Sequence, residues 1–502
     1  APAAQADWRE TYAYTLGMQA VIYGYPVVKN LAVRYSMVEK PAGLVDTPLN
    51  QWFHSRRAAD ATDKIHSSVT AELLYSSAWY DLGAEPLVVT VPDAAGTYYS
   101  IQFMEMYSDI FAYLGTRASG GKAGSWLLVG PDWKGEAPAG IAGVIRSPTP
   151  TGMLLLRTGF ADRTRLDLAH RLQDGNRIQT LSKWLKGDTS SETRRDVIDP
   201  ATPATSPLPF FASLNRGMTE NPPPPRDAVL MELFRSVGIG PGQSDDFSKL
   251  DPATRKGLGR AMQDGIGLLR RVAVAGGNAL HVNGWAYGQM DWGRTAASGD
   301  YLTRSATQSF AGMQEHWIEE VVKLRAHHDA KGALLDGSKA RYTIHFTPGQ
   351  LPEAGAFWSI TVYDSDYDLV ANPLSRFSRG SVDREMKRDK DGGLTLYLSA
   401  EPPARVAAVA PTAPAPAAEG GGSFLVSVTS QDSEAAARES FRVAQGKYAS
   451  VLGSRSPVIK RVDMPDGKVK YRAMVGPYRT RQEAAQFCTE LKAAGGQCFV
   501  PN

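Results

Sequence analysis

Tyr471-Arg472-Ala473-Met474-Val475-Gly476-Pro477-Tyr478 alternates as a strand until Gly-Pro ends it. Thr480-Arg481-Gln482-Glu483-Ala484-Ala485 follows, and Leu491-Lys492-Ala493-Ala494-Gly495 completes a helical stretch that runs from Arg481 to Ala494. Upstream, Asp466-Gly467 supplies the turn into this strand, and Pro457–Val462 reads as its partner. Ser433–Tyr448 reads as a helix, Phe424–Thr429 as an alternating strand, and Gln497–Val500 as a closing strand. The last eighty residues therefore predict a small βαββαβ domain, RNP-like in order, over 423–502.

Outward from this domain, residues 402–422 consist almost wholly of Ala, Pro and Gly and contain no aromatic residue. Such a composition predicts a semi-rigid tether, reaching about 65 Å if polyproline-like. Charge divides at the same place. The chain of 502 residues carries a net +3, but residues 423–502 hold 12 Lys and Arg against 7 Asp and Glu, leaving −2 for the rest. A basic tail suits a polyanionic or sugar-rich partner, and nothing points to nucleic acid. Cys488 and Cys498 are the chain's two cysteines. In an oxidising compartment they would link the end of a helix to the next strand; in a reducing one they would be two buried thiols. The Ala-Pro-Ala-Ala-Gln-Ala opening has the small residues of a mature end left after signal-peptide removal, or of a trimmed chain. No stretch approaches eighteen uninterrupted apolar residues, so no membrane span is expected.

The strand–turn–helix string quoted above resembles the C-terminal half of the sporulation-related repeat (SPOR) domain, down to its Val-Gly-Pro and Leu-Lys-x-x-Gly segments. Ser427 stands where that family usually has Gln. The resemblance implies binding to peptidoglycan glycan strands across the face of a four-stranded sheet. Alternation places Val426, Val428, Tyr471, Ala473, Val475 and Cys498 toward the helices, and Ser427, Thr429, Arg472, Met474, Gln497 and Phe499 on the open face. Hydroxyl, amide and guanidinium donors beside an exposed ring are what a sugar polymer requires.

The larger body reads as mixed helices and short strands. Trp8–Glu39 has helical spacing until Gly24-Tyr25-Pro26, where a break or kink is expected. Leu87–Val91, Tyr98–Phe103, Ser125–Val129 and Gly152–Leu156 read as short antiparallel strands, residues 160–190 and 225–330 as mostly helical, and Arg341–Phe346, Phe357–Tyr363 and Leu394–Leu398 as strands again. The expected fold is a multidomain α+β chain: a β-sandwich or jelly-roll-like body with helical insertions, plus the small C-terminal domain.

Tyr342-Thr343-Ile344-His345-Phe346, Pro348-Gly349-Gln350-Leu351-Pro352 and Ala356–Asp364 resemble domain-of-unknown-function family 1214. Leu74–Leu82, Val91-Pro92-Asp93 and Gly96-x-Tyr98-Tyr99 resemble its companion, family 1254. The implied domains are 8–190, 191–401 with a helical connector, the linker 402–422, and 423–502. Thr70-Ala71-Glu72-Leu73 departs from the companion family's Asn-x-Asp-Thr and retains one carboxylate, Glu72.

Chemistry in the body is sparse. Glu72, Asp81, Glu105 and Asp109 could converge with His66 as an acid–base or cation site, or form separate salt bridges. His316 and Glu320 have i,i+4 spacing, with His327-His328-Asp329 after them, but no third ligand is fixed, so neither metal nor cofactor is expected. Ser119-Gly120-Gly121-Lys122 matches Ser-x-x-Lys only formally, since two glycines favour a loop. Two functional readings follow. One is peptidoglycan binding that docks an exported, periplasmic body of a Gram-negative envelope to the wall. The other is an envelope hydrolase using Glu72, Glu105 or His66. The oligomeric state is not legible.

Overall fold

A computed structural model of the chain describes residues 7–39, 46–63, 68–160, 163, 165–200, 206–312, 315–383, 386–400, 424–452, 457–463, 469–478 and 481–501. The expected linker and the Asp466-Gly467 turn lie outside them. The chain divides into two compact units, 1–401 and 402–502, and is α+β throughout.

The first unit opens with helix α1 (Trp8–Val38), capped by the Asp7 side chain. The helix runs through Pro26 rather than breaking there. A proline in this position leaves the Ile22 carbonyl without its helical N–H. The Ser305 hydroxyl donates to that carbonyl instead, and Arg304 Nη2 donates to the Tyr23 carbonyl at 2.6 Å. The Ser305 hydroxyl thus stands in for the missing backbone bond.

Next come β1 (Phe53–His54), β2 (Leu73–Asp81), β3 (Leu87–Val91), β4 (Tyr99–Glu105), β5 (Ile110–Gly115), β6 (Gly124–Val129), β7 (Gly143–Arg146), β8 (Thr151–Gly159) and β9 (Arg177–Thr180). They form two sheets, ordered β1-β2-β8-β4-β5 and β7-β6-β3-β9. The strands at 87–91 and 99–105, close in sequence, therefore belong to different sheets. Leu87, Val89, Val91 and Leu128 from one sheet meet Ala78, Tyr80, Ile101, Phe103 and Leu154 from the other in a single sandwich core. The opposite face of the first sheet is covered too: Trp79, Met104 and Met153 pack with α1 and later helices. Strand β8 is consequently buried at every position, which accounts for its nearly unbroken apolar run.

Helices α2 (Asp167–Gly175) and α3 (Leu181–Lys186) flank β9, so residues 160–190 are less helical than their sequence suggests. The helical layer is completed by α4 (Pro209–Glu220), α5 (Ala228–Arg235), α6 (Pro252–Ala275) and α7 (Tyr301–Ser305). Small residues let α6 lie tightly on α1: a Cβ added at Gly257 would sit 2.3 Å from the Glu10 carbonyl oxygen. The expectation of helix through residue 330 fails after Ala275. Gly276 and Gly277 turn left-handed, with φ of 85° and 61°, and end the helix. A three-stranded sheet of β10 (Leu280–Val282), β11 (Trp285–Tyr287) and β12 (Leu324–Ala326) follows. Two antiparallel pairs close the unit: β13 (Tyr342–Phe346) with β16 (Leu394–Leu398), and β14 (Ser359–Thr361) with β15 (Ser378–Gly380).

The second unit contains β17 (Phe424–Gln431), α8 (Glu434–Lys447), α9 (Ala449–Leu452), β18 (Val458–Asp463), β19 (Val469–Tyr478) and α10 (Arg481–Ala493). Ser433 caps α8, accepting from the Ala436 N–H at 3.2 Å. The sheet order is β17-β19-β18, and Phe499 bridges to Ser427 on the free edge of β17. Val426, Phe441, Ala473, Val475, Phe487 and Leu491 form the core between sheet and helices. Through α10 this follows the order expected from the sequence, whereas the expected closing strand Gln497–Val500 is reduced to the single bridge at Phe499.

Candidate functional site

Helices α8 and α10 of the second unit pack on one side of its sheet, leaving the other side open. The register fixes which residues share that side. Phe499 pairs with Ser427, Ser427 with Met474, and Met474 with Val458, giving one row across the sheet. Ser430, Arg472 and Lys460 form the next. Directly opposed residues in an antiparallel ladder lie on one face, so these seven side chains line a continuous surface.

Its centre is a stacked pair. The Arg472 guanidinium lies 4.9 Å from the centroid of the Phe499 ring, and that ring is 44% exposed. Ser427, between their strands, is buried at 2% exposure, and Met474 beside it at 4%. Both contribute the floor rather than free donors. Gln497 is exposed near the edge. Lys460 is exposed, and Lys470, one row further, pairs with Asp432 at 2.5 Å.

Thr429 does not join this face. Ser427 opposes Met474, yet Thr429 opposes Ala473, so Val428 is an extra residue in the strand. Such a bulge shifts the alternation by one. Thr429 is thereby carried toward the helices, where its hydroxyl accepts from Ser440 Oγ at 2.9 Å, and Ser430 takes the open position. Lys460 and Val458 were not singled out from the sequence. The register between β18 and β19 that places them opposite Arg472 and Met474 is set across an intervening turn, which alternation within one strand cannot supply.

Cys488, in α10, and Cys498, next to Phe499, are joined as a disulfide with a Cα–Cα separation of 5.6 Å. It ties the closing segment that carries Gln497 and Phe499 to the helix behind the sheet.

In the first unit Glu105 and Asp109 lie side by side, but Glu72 is not brought to them. Glu72 stands just before Leu73, which pairs with Gly159, whereas Glu105 pairs with Gly152 at the other end of β8. At 3.3 Å per residue they are about 25 Å apart along the strand. His66 lies outside the described residues. Glu72 is buried, accepts from the Ser378 hydroxyl, and has its pKa raised by burial. Glu105 accepts from the N–H groups of Tyr107 and Asp109, each at 2.8 Å. Burial, then the charge of Asp109, pushes it up to about 8. Asp81 pairs with Arg194.

His316 and Glu320 share no helix, because the helical layer ends before them. His316 Nδ1 lies 3.1 Å from the Tyr113 hydroxyl, and Glu320 Oε1 accepts from Tyr98 at 2.9 Å. His345 Nδ1 lies 2.9 Å from the Thr395 hydroxyl. Among the described residues, no three His, Cys, Asp or Glu side chains are grouped as a cation would need, and no helix is long and apolar enough to cross a membrane.

Fold and face together define the class: a large α+β body joined in one chain to a small module with an RNP-like sheet. The families agree. Residues 49–180 match a protein family of unknown function, DUF1254; residues 320–424 match a second, DUF1214; and residues 420–502 match the SPOR domain. A SPOR domain indicates peptidoglycan binding. A crystal structure of a protein from Vibrio parahaemolyticus is similar over 78% of this chain and 90% of that one, at 25% identity and a TM-score of 0.59. A structure of an uncharacterised protein from Burkholderia cenocepacia covers 79% of this chain and 85% of its own, at 14% identity and a TM-score of 0.33. No curated protein matches.

Proposed function

We propose that the open face of the tail sheet binds the glycan strands of peptidoglycan and so docks the body to the cell wall. The reading places an exported protein in the periplasm of a Gram-negative cell, recruited to sites of wall remodelling such as division. The observation that carries it is the Arg472–Phe499 stack, an exposed aromatic plane bearing a cation and bordered by Gln497, Ser430 and Lys460. A pyranose ring offers one apolar face and a rim of hydroxyls, which such a surface complements by contact and hydrogen bonding. Lys460 and Arg472 add positive charge to the same rows, in keeping with the tail's surplus of basic residues.

Sedimentation of the 423–502 segment with purified sacculi, intact and amidase-treated, tests this. Binding that grows as stem peptides are removed, and falls in Arg472→Ala/Phe499→Ala, is the expected result. Equal recovery with and without sacculi would refute it.

A further inference from the structure

We propose that the body, independently of the tail, binds a small carboxylate at Arg157. This residue interrupts the apolar run Met153-Leu154-Leu155-Leu156 of β8. It lies between Tyr75 of β2 and Ser100 of β4 in the sheet's central ladder. It is 3% exposed, and its Nε and Nη1 have no hydrogen-bond partner among the described residues. A buried guanidinium without a counter-charge costs several kcal/mol, and a hydrophobic residue of like volume would ordinarily serve a core better.

The surrounding groups do not neutralise it. The neighbours that interact most strongly with it are the phenols of Tyr98, Tyr75 and Tyr113. Burial raises the pKa of Tyr98 and Tyr113, so both remain uncharged. The nearby acids are engaged elsewhere. Glu320 pairs with Arg117 at 2.5 Å, and Glu315 pairs with Lys323 and Arg325 at 3.0 and 2.5 Å.

His316 is uncharged as well. Gln102 Nε2 lies 3.2 Å from its Nδ1. An amide nitrogen only donates, so Nδ1 accepts and the ring proton sits on Nε2. Burial, then the charge of Arg157, holds its pKa well below the usual histidine range.

The site therefore presents one cation among neutral hydroxyl and imidazole groups. That set suits a monoanion. A phosphate dianion would call for further positive charge, whereas a carboxylate matches the guanidinium in charge and planar geometry. The segment carrying His316 roofs the site, with Gln102 donating to the Glu315 carbonyl and the Trp317 N–H to the Tyr113 hydroxyl.

The test is thermal unfolding of the full chain, stripped by unfolding and refolding, with formate, acetate or lactate added at constant ionic strength. Sodium chloride and acetamide are the controls. A saturable rise in the body's midpoint with at least one carboxylate, absent from both controls and from Arg157→Met, is expected. Should Arg157→Met fail to fold, Tyr75→Phe and Tyr98→Phe must each shift the half-saturating concentration upward several-fold. A wild-type response equal to that with chloride or acetamide, a response surviving in Arg157→Met, or half-saturation unchanged in both phenylalanine variants would overturn the assignment.

Discussion

Arg472 reaches across β17 to stack on Phe499, 4.9 Å from guanidinium carbon to ring centroid, with Ser427 beneath. Each partner holds the other in place: the ring fixes the long arginine side chain, and the cation keeps the ring oriented at a sheet edge where it is 44% exposed.

Such mutual support makes the two residues energetically coupled in sacculus binding. Arg472→Ala and Phe499→Ala should each weaken it. The double change should cost less than the two single losses together, by about 0.5–1 kcal/mol or two- to fivefold in affinity. Sedimentation isotherms for the four proteins measure the difference. Strict additivity would mean that the residues contact the glycan independently.

The disulfide Cys488–Cys498 joins residues ten positions apart behind that same edge. Restraint of the unfolded tail by so short a loop contributes about 3 kcal/mol. Dithiothreitol, or Cys488→Ser/Cys498→Ser, should therefore lower the tail's denaturant midpoint and leave the body's transition where it was. A tail midpoint insensitive to reduction contradicts this.

How far the sequence discloses these features depends on which contacts define them. The tail's elements were legible because local signals agree there: Ser433 caps a helix, Gly-Pro ends a strand, and apolar alternation marks one face. Thr429 was misplaced because the extra residue at Val428 is a property of strand pairing, with no local signature. In the body, strand positions could be read, but the division of β3 and β4 between two sheets could not, since it depends on long-range partners. The same holds for Glu72 and Glu105, near in motif order and at opposite ends of β8. Arg157 was overlooked although its intrusion into an apolar run is visible in the sequence. A strand covered on both faces has no place for a solvated arginine, but the second cover comes from elements distant in the chain, and near Arg157 it includes His316, more than 150 positions away.

Pro26 gives a further test of tertiary compensation. The Ile22 carbonyl is served by the Ser305 hydroxyl in place of a helical N–H. Ser305→Ala should leave that part-buried acceptor unpaired, at a cost of about 1 kcal/mol or somewhat more. In a Pro26→Ala background the alanine N–H can take over, and the same Ser305→Ala change should cost less than about 1 kcal/mol. Denaturant unfolding of the four proteins checks this, and an equal cost in both backgrounds would show that Ser305 acts in some other way.

The stability of the body should decline as pH rises, and Glu105 supplies the reason. Its carboxyl is pushed up to about 8, first by burial and then by the charge of Asp109, whose own pKa burial also raises. In the unfolded chain a glutamate loses its proton near its ordinary value of about 4.3. Between that value and about 8 the folded state thus binds more protons than the unfolded state, so stability falls with increasing pH. The contribution is complete below the lower value and lost once pH passes the upper one. Asp109→Asn removes the neighbouring like charge and one raised acid together, so the slope over this interval should become shallower. Denaturant midpoints at pH 5, 6, 7 and 8 for the two proteins measure it. A wild-type midpoint that rises across this range, or a slope unchanged in Asp109→Asn, would show that the Glu105–Asp109 pair does not govern the alkaline loss.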